Sequence, residues 1–235
     1  MNYAIFLSGG VGARTESDIP KQYVKAGGHM MASYAMAPLV ESESIDYIYI
    51  VIDDEWIEPF MADIGNDDGE IAKIRSFARP GKTRQLSILN GLDDIISDPN
   101  NEITEDDTVL IVDAARPFMT SAIVRNCYEA MSGHDGVLPV LPMKDTIYLS
   151  DDKAHVTGLL DRSKLMAGQA PELYNLKKYY AANKALSNGQ MMAINGACEP
   201  AVMAGMDIVI IPGDETNYKV TTEKDLMRFI ESKEK

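Results

Sequence analysis

Apolar residues in this chain fall in short runs, with helical stretches between them. Tyr3-Ala4-Ile5-Phe6-Leu7 is the first and reads as a buried strand. Tyr47–Ile52, rich in β-branched and aromatic residues, is the second, and Ile74–Ala78 the third. Val109–Val112 is a short strand ending on Asp113, Gly136–Val140 is another, and Ile208–Ile211 is the last. Helices are expected from about Met31 to Glu41, from Arg84 to Ser97, and after Thr222, whose hydroxyl with Asp225 three residues on forms a cap. Strands alternating with helices predict an α/β fold, Rossmann-like, with a mostly parallel sheet covered by helices on both faces. With no repeat, low-complexity tract or long linker, residues 1–235 read as a single domain.

One stretch breaks the alternation. Asp145-Thr146-Ile147-Tyr148-Leu149 and Ala154–Leu160 flank the polar Ser150-Asp151-Asp152-Lys153 and predict a hairpin. A lone ribbon is marginal in water, so an arm at about 146–160 is expected to pack on something, a partner subunit or its own sheet edge.

Ligands of open α/β sheets bind beyond the carboxyl ends of the strands. Ser8-Gly9-Gly10-Val11-Gly12-Ala13-Arg14 follows the first strand there, with Pro20-Lys21-Gln22 close behind. Glycines without Cβ atoms let backbone N–H groups face an anion. Arg14 adds a planar fork and Lys21 a flexible point charge. A dinucleotide fingerprint is excluded because Thr15 stands at the place of its third glycine, and a P-loop because Ser76 stands six residues before Lys82. The loop reads as a polyphosphate site or as a tight strand-to-helix turn.

Asp113-Ala114-Ala115-Arg116-Pro117 puts a carboxylate at a strand end, where it suits either Mg²⁺ or a helix N-cap. Gly81-Lys82-Thr83-Arg84-Gln85-Leu86-Ser87 opens a helix with free N–H groups and side-chain donors, a pattern for a base or ribose. Lys219 precedes the Thr222 cap and reads as an anion ligand or a solvated lysine. The three histidines have no nucleophile or metal-ligand spacing around them.

Composition narrows this picture. A net charge of −14 argues against nucleic acid or anionic membrane as partner. An acidic protein that binds a triphosphate must gather its cations locally and bring a divalent metal. Cys127 and Cys198 are too few for a disulfide framework or zinc site. No apolar stretch nears the roughly 20 residues of a membrane span. The chain enters a strand without signal-peptide features, so a cytoplasmic protein is expected.

Taken in order, these segments resemble the cytidylyltransferase family that makes CDP-linked polyols, with branches acting on 2-C-methyl-D-erythritol 4-phosphate and ribitol 5-phosphate. The resemblance runs nearly end to end. It rests on Leu7-Ser8-Gly9-Gly10-x-Gly12-x-Arg14, Pro20-Lys21-Gln22, Gly81-x-x-Arg84-x-x-Ser87 with Gly91-Leu92, and Asp113–Phe118. Asp145-Thr146, Arg162, Gln169-x-Pro171 and Asn217-x-Lys219-Val220-Thr221-Thr222 continue it.

The resemblance implies a CTP-dependent enzyme with Mg²⁺ on Asp113. Arg14 and Lys21 would stabilise charge on the triphosphate. Leu7, Ser8, Gly9, Gly10, Gly12, Gly81, Arg84, Ser87 and Ala114 would hold the nucleotide. Arg116, Thr146, Arg162 and Lys219 would serve the polyol phosphate. It also implies a homodimer whose arms reach across a two-fold axis. The chain departs from the family pattern at Gln169-Ala170-Pro171-Glu172, where Gln-Thr-Pro-Gln is usual, and at Asn195-Gly196-Ala197, where Thr-Asp-Asp or Thr-Asp-Ala is usual. By the resemblance both lie near the acceptor. Leu7–Gly10 and Gly168-Gln169 lean towards ribitol 5-phosphate, with methylerythritol phosphate the alternative and a catalytically degenerate nucleotide-binding regulator a reading of another class.

Overall fold

In the computed structural model, which describes residues 1–10, 19–65 and 71–234, an eight-stranded sheet runs through the centre of the chain. β1 (Asn2–Leu7) leads to a ribbon of β2 (Lys25–Ala26) and β3 (His29–Met30), then to α1 (Met31–Val40), β4 (Tyr47–Val51) and α2 (Asp54–Ile64). β5 (Ile74–Ala78), α3 (Arg84–Ser97), β6 (Thr108–Asp113), α4 (Ser121–Ala130) and β7 (Gly136–Pro142) follow. The arm strands β8 (Ile147–Leu149) and β9 (Gly158–Leu160) precede β10 (Met166–Gly168) and β11 (Glu172–Asn175). The chain closes with α5 (Leu176–Lys184), α6 (Asn188–Ala193), α7 (Glu199–Met203), β12 (Ile208–Pro212) and α8 (Glu223–Lys233). No described helix is long and apolar enough to cross a membrane.

Across the sheet the order is β12, β7, a column shared by β10 and β11, then β6, β1, β4 and β5. β10 and β11 pair antiparallel and the rest parallel, which makes the sheet mostly parallel as expected. β1 is buried on both faces, which is why its sequence is continuously apolar. Ala4 and Phe6 pack with α1, α2 and α4, and Tyr3 and Ile5 with α3 and α5. Gly91, part of the motif expected at cytidine, instead seats α3 on the sheet: a Cβ there would lie 2.9 Å from Ile5 Cγ2. A third cluster, with Met31, Val220 and Phe229, fastens the segment before α8.

Register brings the ends of β1 and β6 together. Leu7 pairs with Asp113, and Ala114 N–H donates to the Leu7 carbonyl at 3.0 Å. The glycine loop and Asp113 therefore share one sheet edge. The N-cap reading of Asp113 falls, because the next helix starts at Ser121 and Thr120 caps it. The hairpin forms as expected, with shorter strands and a longer connection than Ser150–Lys153.

Gly136 sits where β7, β11 and β12 meet. A Cβ would approach Ile208 Cδ1 and Tyr174 Cδ1 at 2.8 Å and the Leu173 carbonyl oxygen at 2.9 Å. Gly136→Ala should cost about 1–3 kcal/mol as overpacking. A urea midpoint equal to that of the wild type would contradict this packing.

Candidate active site

A cavity of about 320 Å³ opens over the C-terminal ends of β1 and β6. Leu7, Gly9 and Gly10 form one wall, Lys21 and Gln22 stand beside them, and Gly81–Arg84 with Ser87 bring in the start of α3. Asp113, Ala114 and Ala115 form the floor, and Lys219 closes the rim. Gly12 and Arg14, expected at the phosphates, lie outside the described residues.

Local chemistry holds each wall. Gln22 Nε2 donates to the carbonyls of Ser8 and Gly10, both at 2.7 Å, so the turn that carries Lys21 also pins the glycine loop. The Tyr23 hydroxyl donates to the Ser8 carbonyl at 2.8 Å. Ser8 itself is buried, with its hydroxyl on Tyr23 rather than in the cavity. Gly9 cannot carry a side chain, since a Cβ would fall 2.0 Å from Pro80 Cγ. Thr83 caps α3, and the Ser87 hydroxyl accepts from Gly81 N–H at 3.0 Å while donating to the Thr83 carbonyl at 3.1 Å. That closes the loop expected to hold base and ribose into a tight turn.

The electrostatic centre is Asp113. Its Oδ1 accepts from Arg84 Nε and faces Arg84 Nη2, both at 2.9 Å, and its Oδ2 accepts from Lys219 Nζ at 2.8 Å. Burial alone would raise its pKa, but Arg84, Lys219 and Arg116 overcome that and hold it well below the usual carboxylate range. Behind it stands a second buried carboxylate, Glu172, whose Oε1 lies 3.5 Å from Arg84 Nη2. Burial pushes the Glu172 pKa up, against the pull of Arg84.

Other expected residues lie elsewhere. Arg116 is buried behind the cavity and donates from Nη1 to the Asn217 carbonyl at 2.6 Å, which steadies the segment carrying Lys219. Its Nε has no hydrogen-bond partner among the described residues. Thr146 and Arg162 are exposed at the base of the arm, where Arg162 Nη1 donates to the Lys144 carbonyl at 2.6 Å, and neither lines this cavity. The departures from the family pattern also sit away from the lining. Gln169 exchanges hydrogen bonds with the backbone of Asp214, and the Ala197 carbonyl accepts from the Tyr179 hydroxyl. Residues that were given no role of their own from the sequence also line it: Lys82, Thr83, Gln22 and Ala115. Lys82 and Thr83 were marked only by lying inside the glycine-led segment.

A glycine loop and a set of cations at the edge of a mostly parallel sheet, with one carboxylate among the described lining residues, define a nucleotidyltransferase site. The family described as IspD, 2-C-methyl-D-erythritol 4-phosphate cytidylyltransferase, matches residues 3–230, and the chain belongs to it. A 2-C-methyl-D-erythritol 4-phosphate cytidylyltransferase of Lachnospira eligens is 30% identical over 230 residues, 96% of each chain. A bifunctional IspD/IspF enzyme of Bradyrhizobium is 29% identical over 225 residues, and the chain spans about half of that relative, 54%. The crystal structure of the Francisella tularensis 2-C-methyl-D-erythritol 4-phosphate cytidylyltransferase shares the fold, with a TM-score of 0.79 at 24% identity over 99% of each chain.

Because the folded state lowers the Asp113 pKa, this group adds stability above its unfolded value of about 3.9, and that stability fades as pH falls towards the folded value. Asp113→Asn should cost at most about 3–5 kcal/mol at pH 7, the scale of a broken buried pair, with Glu172 still holding Arg84 to soften it. The gap between the denaturant curves of the two proteins should hold from pH 7 to about pH 4 and begin to narrow as pH falls further. A gap that widens with acid would contradict the assignment.

Proposed function

We propose that this chain transfers CMP from CTP to 2-C-methyl-D-erythritol 4-phosphate, forming a CDP-polyol and releasing pyrophosphate. The observation that carries this reading is the family match over residues 3–230, with Gly9, Gly10 and Lys21 facing Asp113 and Lys219 across one cavity. The lean towards ribitol 5-phosphate gives way. It rested on Leu7–Gly10 and Gly168-Gln169, and Gln169 is spent on the Asp214 backbone, while the named relatives act on the methylerythritol compound.

No protein nucleophile is needed. A phosphate oxygen of the acceptor, already anionic, bonds to the α-phosphorus of CTP as the bond to the β-phosphate oxygen breaks. The protein supplies alignment and offsets charge. In this reading the Gly9-Gly10 backbone and Lys21, with Arg14, meet the triphosphate. The Gly81–Ser87 turn faces cytosine and ribose, and Lys219 meets the acceptor phosphate. Mg²⁺ fits the donor set: Asp113 is the one carboxylate among the described lining residues, and this hard cation takes one or two carboxylates plus phosphate oxygens. Bound there, the cation would offset charge on the triphosphate and the leaving pyrophosphate.

The arm completes the proposal. Tyr148, Val156 and Leu159 are 60%, 67% and 65% exposed, more apolar surface than a free ribbon should show. We take the protein as a homodimer in which the partner's arm helps build each acceptor site, since Thr146 and Arg162 stand outside the cavity of their own chain. Replacing Ser150–Thr157 with a short turn should yield monomers by light scattering and weaken acceptor binding. A full-sized dimer with unchanged acceptor kinetics would defeat both the arm exchange and the shared site.

Pyrophosphate release with CTP, Mg²⁺ and a panel of polyol phosphates tests the activity, with methylerythritol phosphate expected to give the highest kcat/KM. Lys21→Ala should lower kcat by roughly 10²–10³, as for a lost oxyanion donor. Arg162→Ala should raise KM for the acceptor and leave that for CTP nearly unchanged, and Lys219→Ala should raise KM for the acceptor more than it alters that for CTP, which it can reach through Asp113. Silence with all four nucleoside triphosphates would favour a degenerate regulator instead.

A further inference from the structure

The unusual group behind the cavity is Glu172. It is only 7% exposed, and its two oxygens have different partners. Oε2 accepts from the Tyr174 hydroxyl at 2.6 Å. The Tyr174 ring is itself fixed by stacking on Tyr179, with centroids 4.1 Å apart and planes within 6°. Oε1 is thereby left facing Arg84 Nη2 at 3.5 Å, while that same nitrogen lies 2.9 Å from Asp113. Arg84 is thus shared unequally between two carboxylates, one lining the cavity and one beneath it.

Both Asp113 oxygens are taken by cations of this chain. A nucleotide and its cation can engage Asp113 only if those cations move. Lys219 has a flexible stem and a side chain 36% exposed, so it can turn to an incoming phosphate. Arg84 has less freedom, because it starts α3 and its neighbour Gln85 is buried against Asn183. A guanidinium has five donors in a rigid fork and can shift its weight between two anions without being left unpaired.

We propose that Glu172 is a positioning residue acting through Arg84: it offers the guanidinium a second carboxylate, so that Asp113 is released for the incoming nucleotide and its cation. This rests on the reading of the cavity as a CTP site.

The test is calorimetric titration of CTP with Mg²⁺ into wild type, Glu172→Gln, Arg84→Gln and the double variant, with thermal melts of each. Glu172→Gln keeps the shape and the acceptor for Tyr174 but removes the charge. Its Kd for CTP should rise about tenfold, within the coupling range of contacting residues, with KM for the acceptor little changed. In the Arg84→Gln background the same substitution should change nothing. Equal affinity in wild type and Glu172→Gln, or the same loss with and without Arg84, would overturn the proposal. If Glu172→Gln does not fold, the wild type carries the test by NMR of the Arg84 guanidinium. Saturation with CTP should shift the Nε–H signal as Asp113 lets go, while the Nη signals stay in slow rotation on Glu172. An unmoved Nε–H signal would overturn it. A wild type that binds no CTP would overturn the proposed function and this inference together, a failure distinct from normal CTP binding with an indifferent Glu172.

Discussion

The carboxylate of Asp113, held between Arg84 and Lys219, is the interaction on which the site depends. It joins three segments far apart in the chain: the start of α3, the end of β6 and the segment before α8. Buried ion pairs contribute little net stability because desolvation offsets their attraction, yet losing one partner is costly. Such a junction fixes geometry more than it adds stability. Here it sets where the cations of the cavity stand.

A second layer supports the junction. Arg116 ties the Asn217 carbonyl to the end of β6, Asn217 Nδ2 donates to the Ala170 carbonyl at 2.9 Å, and Gln169 grips Asp214. The segment from Gln169 to Glu172 therefore touches both neighbours of Asp113, Lys219 through the Asn217 segment and Arg84 through Glu172. The segment itself does not line the cavity.

Much of this was legible in the sequence. The helix expected from Arg84 to Ser97 forms over those residues, and the six strands expected outside the hairpin form within two residues of their expected ends. β1, β4 and β6 are buried by near-continuous apolar runs, which is the pattern that burial dictates, whereas β5 and β12 are only partly buried. β10 and β11 were not legible. Met166-Ala167-Gly168 and Glu172–Asn175 are short, interrupted by Pro171 and partly polar, and they become strands only because β7 and β6 offer free edges on either side. α2 was hidden in the same way, by Pro59 inside an acidic stretch. At the site, Lys21, Asp113, Lys219 and residues of the Gly81–Ser87 turn, which the motifs had marked, line one cavity. It could not tell which side chains face the cavity and which face each other, so Ser8, Arg116 and Glu172 took their parts only from the packed structure.

The position of a bound nucleotide is the most direct test. A crystal structure of the protein with CTP and Mg²⁺ should place the triphosphate against Gly9, Gly10 and Lys21 and the base against the Gly81–Ser87 turn, with Arg84 moved towards Glu172. A nucleotide bound instead in a separate cavity lined by His29, Tyr34 and Asp63, or phosphates lying away from the β1 loop with the Asp113 pairs intact, would contradict it.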